Sequence, residues 1–155
     1  MGLKGDDHVY HSGYLDDATH ASLLPRPSLT SELCLAQHNR IKTMQGLECN
    51  PSLRVINLAN NCLSTVSCLQ HLTSITELNL RRNKISNFTC STRLDSLQRL
   101  FLSDNSILAI STLSDLFAFT SLQELTLDGN PLSSEGGYRM AVLDCIHSLK
   151  HFDLR

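Results

Sequence analysis

The stretch LRVINLANNCLSTVSCLQHLTSITELNLRRNKISNF, residues 53–88, repeats itself. Leu53, Ile56, Leu58, Asn61, Leu63 and Val66 in its first half return as Ile75, Leu78, Leu80, Asn83, Ile85 and Phe88 in its second, each pair 22 positions apart. Reading outward in both directions extends the series. Downstream, Leu97, Leu100, Leu102, Asn105, Ile107, Ile110 and Leu113 form a third copy, and Leu122, Leu125, Leu127, Asn130 and Leu132 a fourth. Upstream, Asn39, Ile41, Met44 and Leu47 fit the same frame. The asparagines at 39, 61, 83, 105 and 130 are therefore separated by 22, 22, 22 and 25 residues. A fixed period of this length marks a chain of stacked supersecondary units.

The frame L-x-x-L-x-L-x-x-N-x-L is that of the leucine-rich repeat. Its L-x-L pair reads as a short strand with alternate residues facing inward. Corresponding strands of successive turns then pair in parallel, about 4.8 Å apart. One turn cannot bury its own leucines, so stacking creates the core. Each asparagine turns the chain inward after its strand. Its amide offers donors and an acceptor to backbone groups of its own and the neighbouring turn. Asn39, Asn61, Asn83, Asn105 and Asn130 are expected to form a structural ladder rather than a catalytic row. The expected fold is α/β: a right-handed leucine-rich-repeat solenoid. Short parallel strands line its concave face, with helical or irregular convex returns and a C-terminal helical cap.

The ends depart from the frame. Residues 1–30 carry no repeat and hold Asp6, Asp7, Asp16, Asp17 and Pro25-Arg26-Pro27. They read as an irregular, partly disordered arm lying over the first repeat. About five repeats occupy 31–132, and a cap occupies 133–155. In the cap, Tyr138, Met140, Val142, Leu143, Cys145 and Ile146 suit a helix from about Glu135 to His147. Leu149, Phe152 and Leu154 then repeat the strand frame and cover an edge. The first strand is ambiguous. The frame puts Cys34 and Ala36 inside, yet Leu33 and Leu35 are bulkier; either the strand carries a bulge or two leucines face outward.

These features resemble a class of cytoplasmic leucine-rich-repeat proteins. The residues that carry the likeness are the 22-residue period, the Asn130-Pro131 ending and the segment YRMAVLDCIHSLKHFDLR, 138–155. The class includes a phosphatase regulatory subunit, an axonemal dynein light chain and the spliceosomal A-prime protein. Within it, residues 53–85 and LQRLFLSDNSI, 97–107, are most similar to the leucine-rich-repeat subunit of the tubulin polyglutamylase complex. The resemblance covers roughly residues 53–155. It implies a non-catalytic scaffold whose partners are tubulin polyglutamylase subunits, at microtubules, centriolar satellites or cilia. The alternative it leaves is a regulatory subunit of another machine: phosphatase, axonemal dynein or spliceosome.

Composition narrows the function classes. The 155 residues have a formal net charge of −2, which argues against a general nucleic-acid binder. No apolar run is long enough to span a membrane. The N-terminus MGLKGDDHVY lacks the apolar centre of a secretory signal, so a cytoplasmic location is expected. Asp6 stands where a myristoylation signal wants Ser or Thr. Six cysteines form no C-x-x-C pair, so mostly buried free thiols are expected. Asn87-Phe88-Thr89 matches a glycosylation acceptor, an accidental match in the cytoplasm. His8 and His11 lie beside Asp6 and Asp7 without a further ligand at firm spacing, so no metal is expected, and no cofactor. Nothing orients Cys68 and His71 as a nucleophile–base pair, and no phosphate-cradling motif occurs, so the chain is not expected to be an enzyme.

Function is expected on the concave face, where solenoids of this kind bind partners. Its candidate partner-binding residues are Asn57, Asn79, Arg81, Arg82, Arg99, Phe101, Asp104, Glu124 and Asp128. Ser103, Thr126, His151, Asp153 and Arg155 are expected beside them, exposed. Phe101, flanked by arginines and without an expected partner of its own, has the composition of an interaction hot spot. The face should be basic in the middle and acidic toward the C-terminus. Cross-strand pairing of Arg99 with Glu77 or Glu124 is the competing use of those charges. A protein partner is expected, with the chain a monomer within a larger complex.

Overall fold

The computed structural model describes residues 10–11, 32–67, 69–90 and 93–153. Alternation places the main strands. In β3 (Val55–Asn57), β5 (Glu77–Asn79) and β7 (Arg99–Phe101) only the middle residue points inward. These middle residues, Ile56, Leu78 and Leu100, are fully buried. β8 (Glu124–Thr126) buries Leu125 in the same way. The residues on either side of each face the concave surface, because successive Cβ atoms of a strand point to opposite faces.

Seven parallel strands form the concave sheet, in the order β1, β2, β3, β5, β7, β8, β9. Here β1 is Tyr10–His11, β2 is Leu33–Leu35 and β9 is His151–Phe152. The register is uniform: Ile56 pairs with Leu78 and Leu78 with Leu100. The convex return carries its own two-stranded parallel sheet, β4 (Thr65–Val66) with β6 (Asn87–Phe88). In the longer unit between Asn105 and Asn130 a 3-10 helix, Ile110–Ala118, replaces that strand. It buries Leu113 and Leu116 and brings Phe119 edge-on to Phe88 at 6.2 Å between ring centroids. The repeat leucines are at or near zero exposure, and each contributes roughly 1.5–3 kcal/mol by leaving water.

The asparagines bridge consecutive turns. Asn83 accepts the Leu63 N–H at 3.0 Å and donates to the carbonyls of Leu58 and Leu80. Asn61, Asn105 and Asn130 repeat this, accepting from Ile41, Ile85 and Ile107. Asn39 donates to Ala36 and Gln37. The residue just before each ladder asparagine has positive φ: His38, Asn60, Arg82, Asp104 and Gly129. At Gly129 a Cβ would stand 2.2 Å from Asp104 Oδ1, so this turn has room only for glycine.

The ends resolve the open questions. β2 has no bulge; Cys34 and Ala36 are buried while Leu33 and Leu35 sit half-buried on the concave face. The pairing of Leu33 with Val55 and Leu35 with Asn57 keeps the common register, and a slip would have cost every ladder bond in the unit. On the outer edge of β2, Tyr10–His11 of the N-terminal segment pair in parallel with Cys34 and Leu35. The rest of residues 1–30 lie outside the described residues, as do Leu154 and Arg155. The cap helix α1 is Tyr138–Cys145, shorter than the expected Glu135–His147. Gly137 at φ 86 cannot belong to a helix and fixes its start; a 3-10 turn, Pro131–Ser134, precedes it. Met140 and Leu143 face solvent. The cysteines also differ from expectation. Of the five described, Cys34 is buried, Cys49 is exposed and Cys62, Cys90 and Cys145 are intermediate; Cys62 and Cys90 lie on returns and Cys145 ends the cap helix, so none of these three holds an inward strand position.

Candidate partner-binding face

Register assembles the face into rows. One row is Leu33, Val55, Glu77, Arg99, Glu124 and His151. The next is Leu35, Asn57, Asn79, Phe101 and Thr126. Arg81, Arg82, Asp104 and Asp128 follow the strands and line an open groove of about 400 Å³, together with Ala59 and Asp153. The first strands bring aliphatic and amide side chains, the middle strands arginines, and the last strands carboxylates. The face is thus graded along the solenoid axis.

The middle holds a built cluster. The Arg81 guanidinium lies over the Phe101 ring, 4.5 Å from its centroid. Phe101 was expected to be unpartnered; instead, its open face carries a cation, which the ring quadrupole attracts. Arg99 pairs across strands with Glu77 at 2.6 Å. That pair is half exposed and contributes little stability, as surface ion pairs do. Arg82 reaches Asp104 at 3.5 Å, with both side chains exposed. Both residues hold left-handed backbone, a conformation that costs a non-glycine residue about 1–2 kcal/mol. Asn57 and Asn79 turn inward on their own loops, accepting the N–H groups of Ala59 and Arg81. Their amides shape the turn as well as lining the face.

Three positions expected to be exposed are buried. Ser103 and Thr126 are bonded to each other at 2.6 Å, and Ser103 donates to Asp128 at 2.5 Å. Small hydroxyls here let neighbouring strands close over them. Asp153, at 5% exposure, is the residue that sequence reasoning missed. In internal turns a carbonyl of the next unit accepts these amides, as Thr126 accepts from Leu102. At the cap strand a side chain does this instead. The Asp153 carboxylate takes that place, accepting from Leu127 N–H at 2.5 Å and from Asp128 N–H at 3.2 Å. Tyr138 O–H also donates to it, and Arg139 stands 3.6 Å away. Burial, and the bond to that carboxylate, push the Tyr138 phenol up from its ordinary value. A polar residue directly after the inward Phe152 was the available signal for this role.

Among the described residues no group of three His, Cys, Asp or Glu side chains is placed to hold a metal ion. His8 lies outside the described residues. No helix among those described is long and apolar enough to cross a membrane.

The family model described as Leucine rich repeat matches residues 37–85. Among solved structures, the chain is similar to the Drosophila melanogaster SNF/U2A' complex, with 26% identity and a TM-score of 0.69 over 75% of this chain and 68% of that one. It is also similar to a leucine-rich-repeat protein of Leptospira interrogans, with 22% identity and a TM-score of 0.67. That match covers 79% of this chain and 31% of the Leptospira chain, and it shows a shared fold. No curated protein matches the chain in sequence.

Proposed function

We propose that this leucine-rich-repeat solenoid is a non-catalytic scaffold that captures a protein segment on its concave sheet. The observation that carries this reading is the stacking of Arg81, which lines an open groove, on the Phe101 ring beside it. Aromatic and arginine side chains are the residue types that dominate binding energy at protein interfaces. The resemblance of residues 53–85 and 97–107 supports a tubulin polyglutamylase assembly as the context, with this chain as the assembly or targeting subunit. The second reading, a regulatory subunit of another machine, draws support from the likeness to U2A', whose structure is a complex with SNF.

The test is affinity purification of the tagged chain from ciliated cells, read by mass spectrometry, beside Phe101→Ala and Arg99→Glu. Recovery of tubulin-ligase subunits with wild type and their loss with Phe101→Ala is the expected result. Recovery of phosphatase, dynein or spliceosomal components would keep the face and replace the context. Unchanged recovery with both variants would remove the concave-face proposal.

A further inference from the structure

We propose that the groove reads a carboxylate: an acidic side chain of the partner seats on Arg81 and a basic one against Asp104 and Asp128. This rests on the reading of the concave sheet as the partner face. The three arginines of the face are not equivalent. Arg99 is committed to Glu77 at 2.6 Å, and Arg82 touches Asp104 at 3.5 Å. Arg81 makes no ion pair and no side-chain hydrogen bond among the described residues, and its Nε is buried without an acceptor. That Nε is sealed from the groove, so the donors an incoming group can meet are those of the two Nη atoms. The Phe101 ring beneath the guanidinium fixes its plane and shields one side from water. What remains is an uncommitted guanidinium, held on an aromatic ring, on a residue that lines the groove; its Nη donors suit a carboxylate oxygen.

The rest of the groove selects among anions. Asp104 and Asp128 line the same hollow as Arg81. They repel a phosphate dianion or a nucleic-acid backbone more strongly than a single carboxylate, and they invite a cation beside it. Ser103 occupies one oxygen of Asp128, which holds that carboxylate in place. Arg81 follows β5 and Asp128 follows β8, two strand steps on, so the two charges of the partner lie about 10 Å apart. That spacing is about three residues in an extended segment or about seven in a helix. Toward the N-terminal side Leu33, Leu35 and Val55 call for apolar residues. The segment therefore reads apolar, then acidic, then basic along the solenoid axis.

The test is selection of a random displayed-peptide library on the immobilised full chain, followed by anisotropy on one enriched peptide. Enrichment of Asp or Glu, with Lys or Arg at one of those spacings, is expected. Arg81→Gln should weaken the peptide about tenfold or more, the range of a charge-assisted hydrogen bond. Changing the peptide's acid to its amide should cost as much on wild type and almost nothing on Arg81→Gln. Enriched peptides without an acid, no enriched peptide at all, or two effects that simply add would overturn the carboxylate reading. If binding still falls with Phe101→Ala, the concave face itself survives that failure. If neither Phe101→Ala nor Arg81→Gln changes binding, both readings fail.

Discussion

Replacing Asn83 by alanine strips an acceptor from the Leu63 N–H and a donor from the carbonyls of Leu58 and Leu80, all within the core. The expected loss is about 3 kcal/mol, read as a lower urea midpoint at unchanged slope. The ladder was legible in sequence because few side chains can serve backbone groups of two turns at once. Cys34 offers a second test at this scale. Burial pushes its thiol up from 9.0 to about 11. Between those values the unfolded chain releases a proton that the folded chain keeps. The stability from this site is therefore full below pH 9.0 and is lost as pH rises to about 11. At pH 8 iodoacetamide should label exposed Cys49 readily and leave Cys34 untouched until the chain unfolds. Ser103, Thr126 and Asp153 were misread because position on a strand gives the direction of a side chain, not how closely the neighbouring turn covers it.

The repeats were legible as elements because inward leucines recur at fixed offsets, and so were the cap helix and its strand; the contacts that close each end were not, because each is made once. At the C-terminus α1 and β9 are joined through Tyr138, whose ring meets Phe152 edge-on at 5.9 Å and whose hydroxyl bonds Asp153. Tyr138→Phe keeps the ring and removes that bond, at a cost of about 1–2 kcal/mol. Asp153→Ala should cost more, because it also leaves the Leu127 and Asp128 amides without their acceptor. Hydrogen exchange should show the loss first at those two amides, while Leu78 and Leu100 stay protected. At the other end, β1 supplies a two-residue pairing along β2. Deleting residues 1–28 uncovers that edge. The expected result is a melting temperature lower by about 2–4 °C and a greater tendency to self-associate, checked by calorimetry and light scattering. An unchanged melting temperature would mean that the segment does not cap the sheet.

Across the whole molecule, stacking converts sequence order into position along one axis, so a gradient written in the chain becomes a gradient on the face. Val55 and Asn57 of β3, Glu77 and Asn79 of β5, Arg99 and Phe101 of β7, and Glu124 of β8 lie side by side because the register never slips. That placement was legible from the period alone. The period offered Arg99 either Glu77 or Glu124; side-chain reach decides for Glu77, and it alone seats Arg81 on Phe101, which the sequence did not show. A second exposed apolar area exists on the cap helix, where Met140 and Leu143 face solvent. It is the natural rival to the concave face and gives the sharpest control. The deciding measurement is quantitative recovery of the captured partner by wild type, by Phe101→Ala, and by the double variant Met140→Lys with Leu143→Lys, each shown folded by circular dichroism. A partner lost with Phe101→Ala and kept by the cap variant is the result predicted here. A partner kept by Phe101→Ala and lost with the cap variant would contradict it and move the binding surface to the cap.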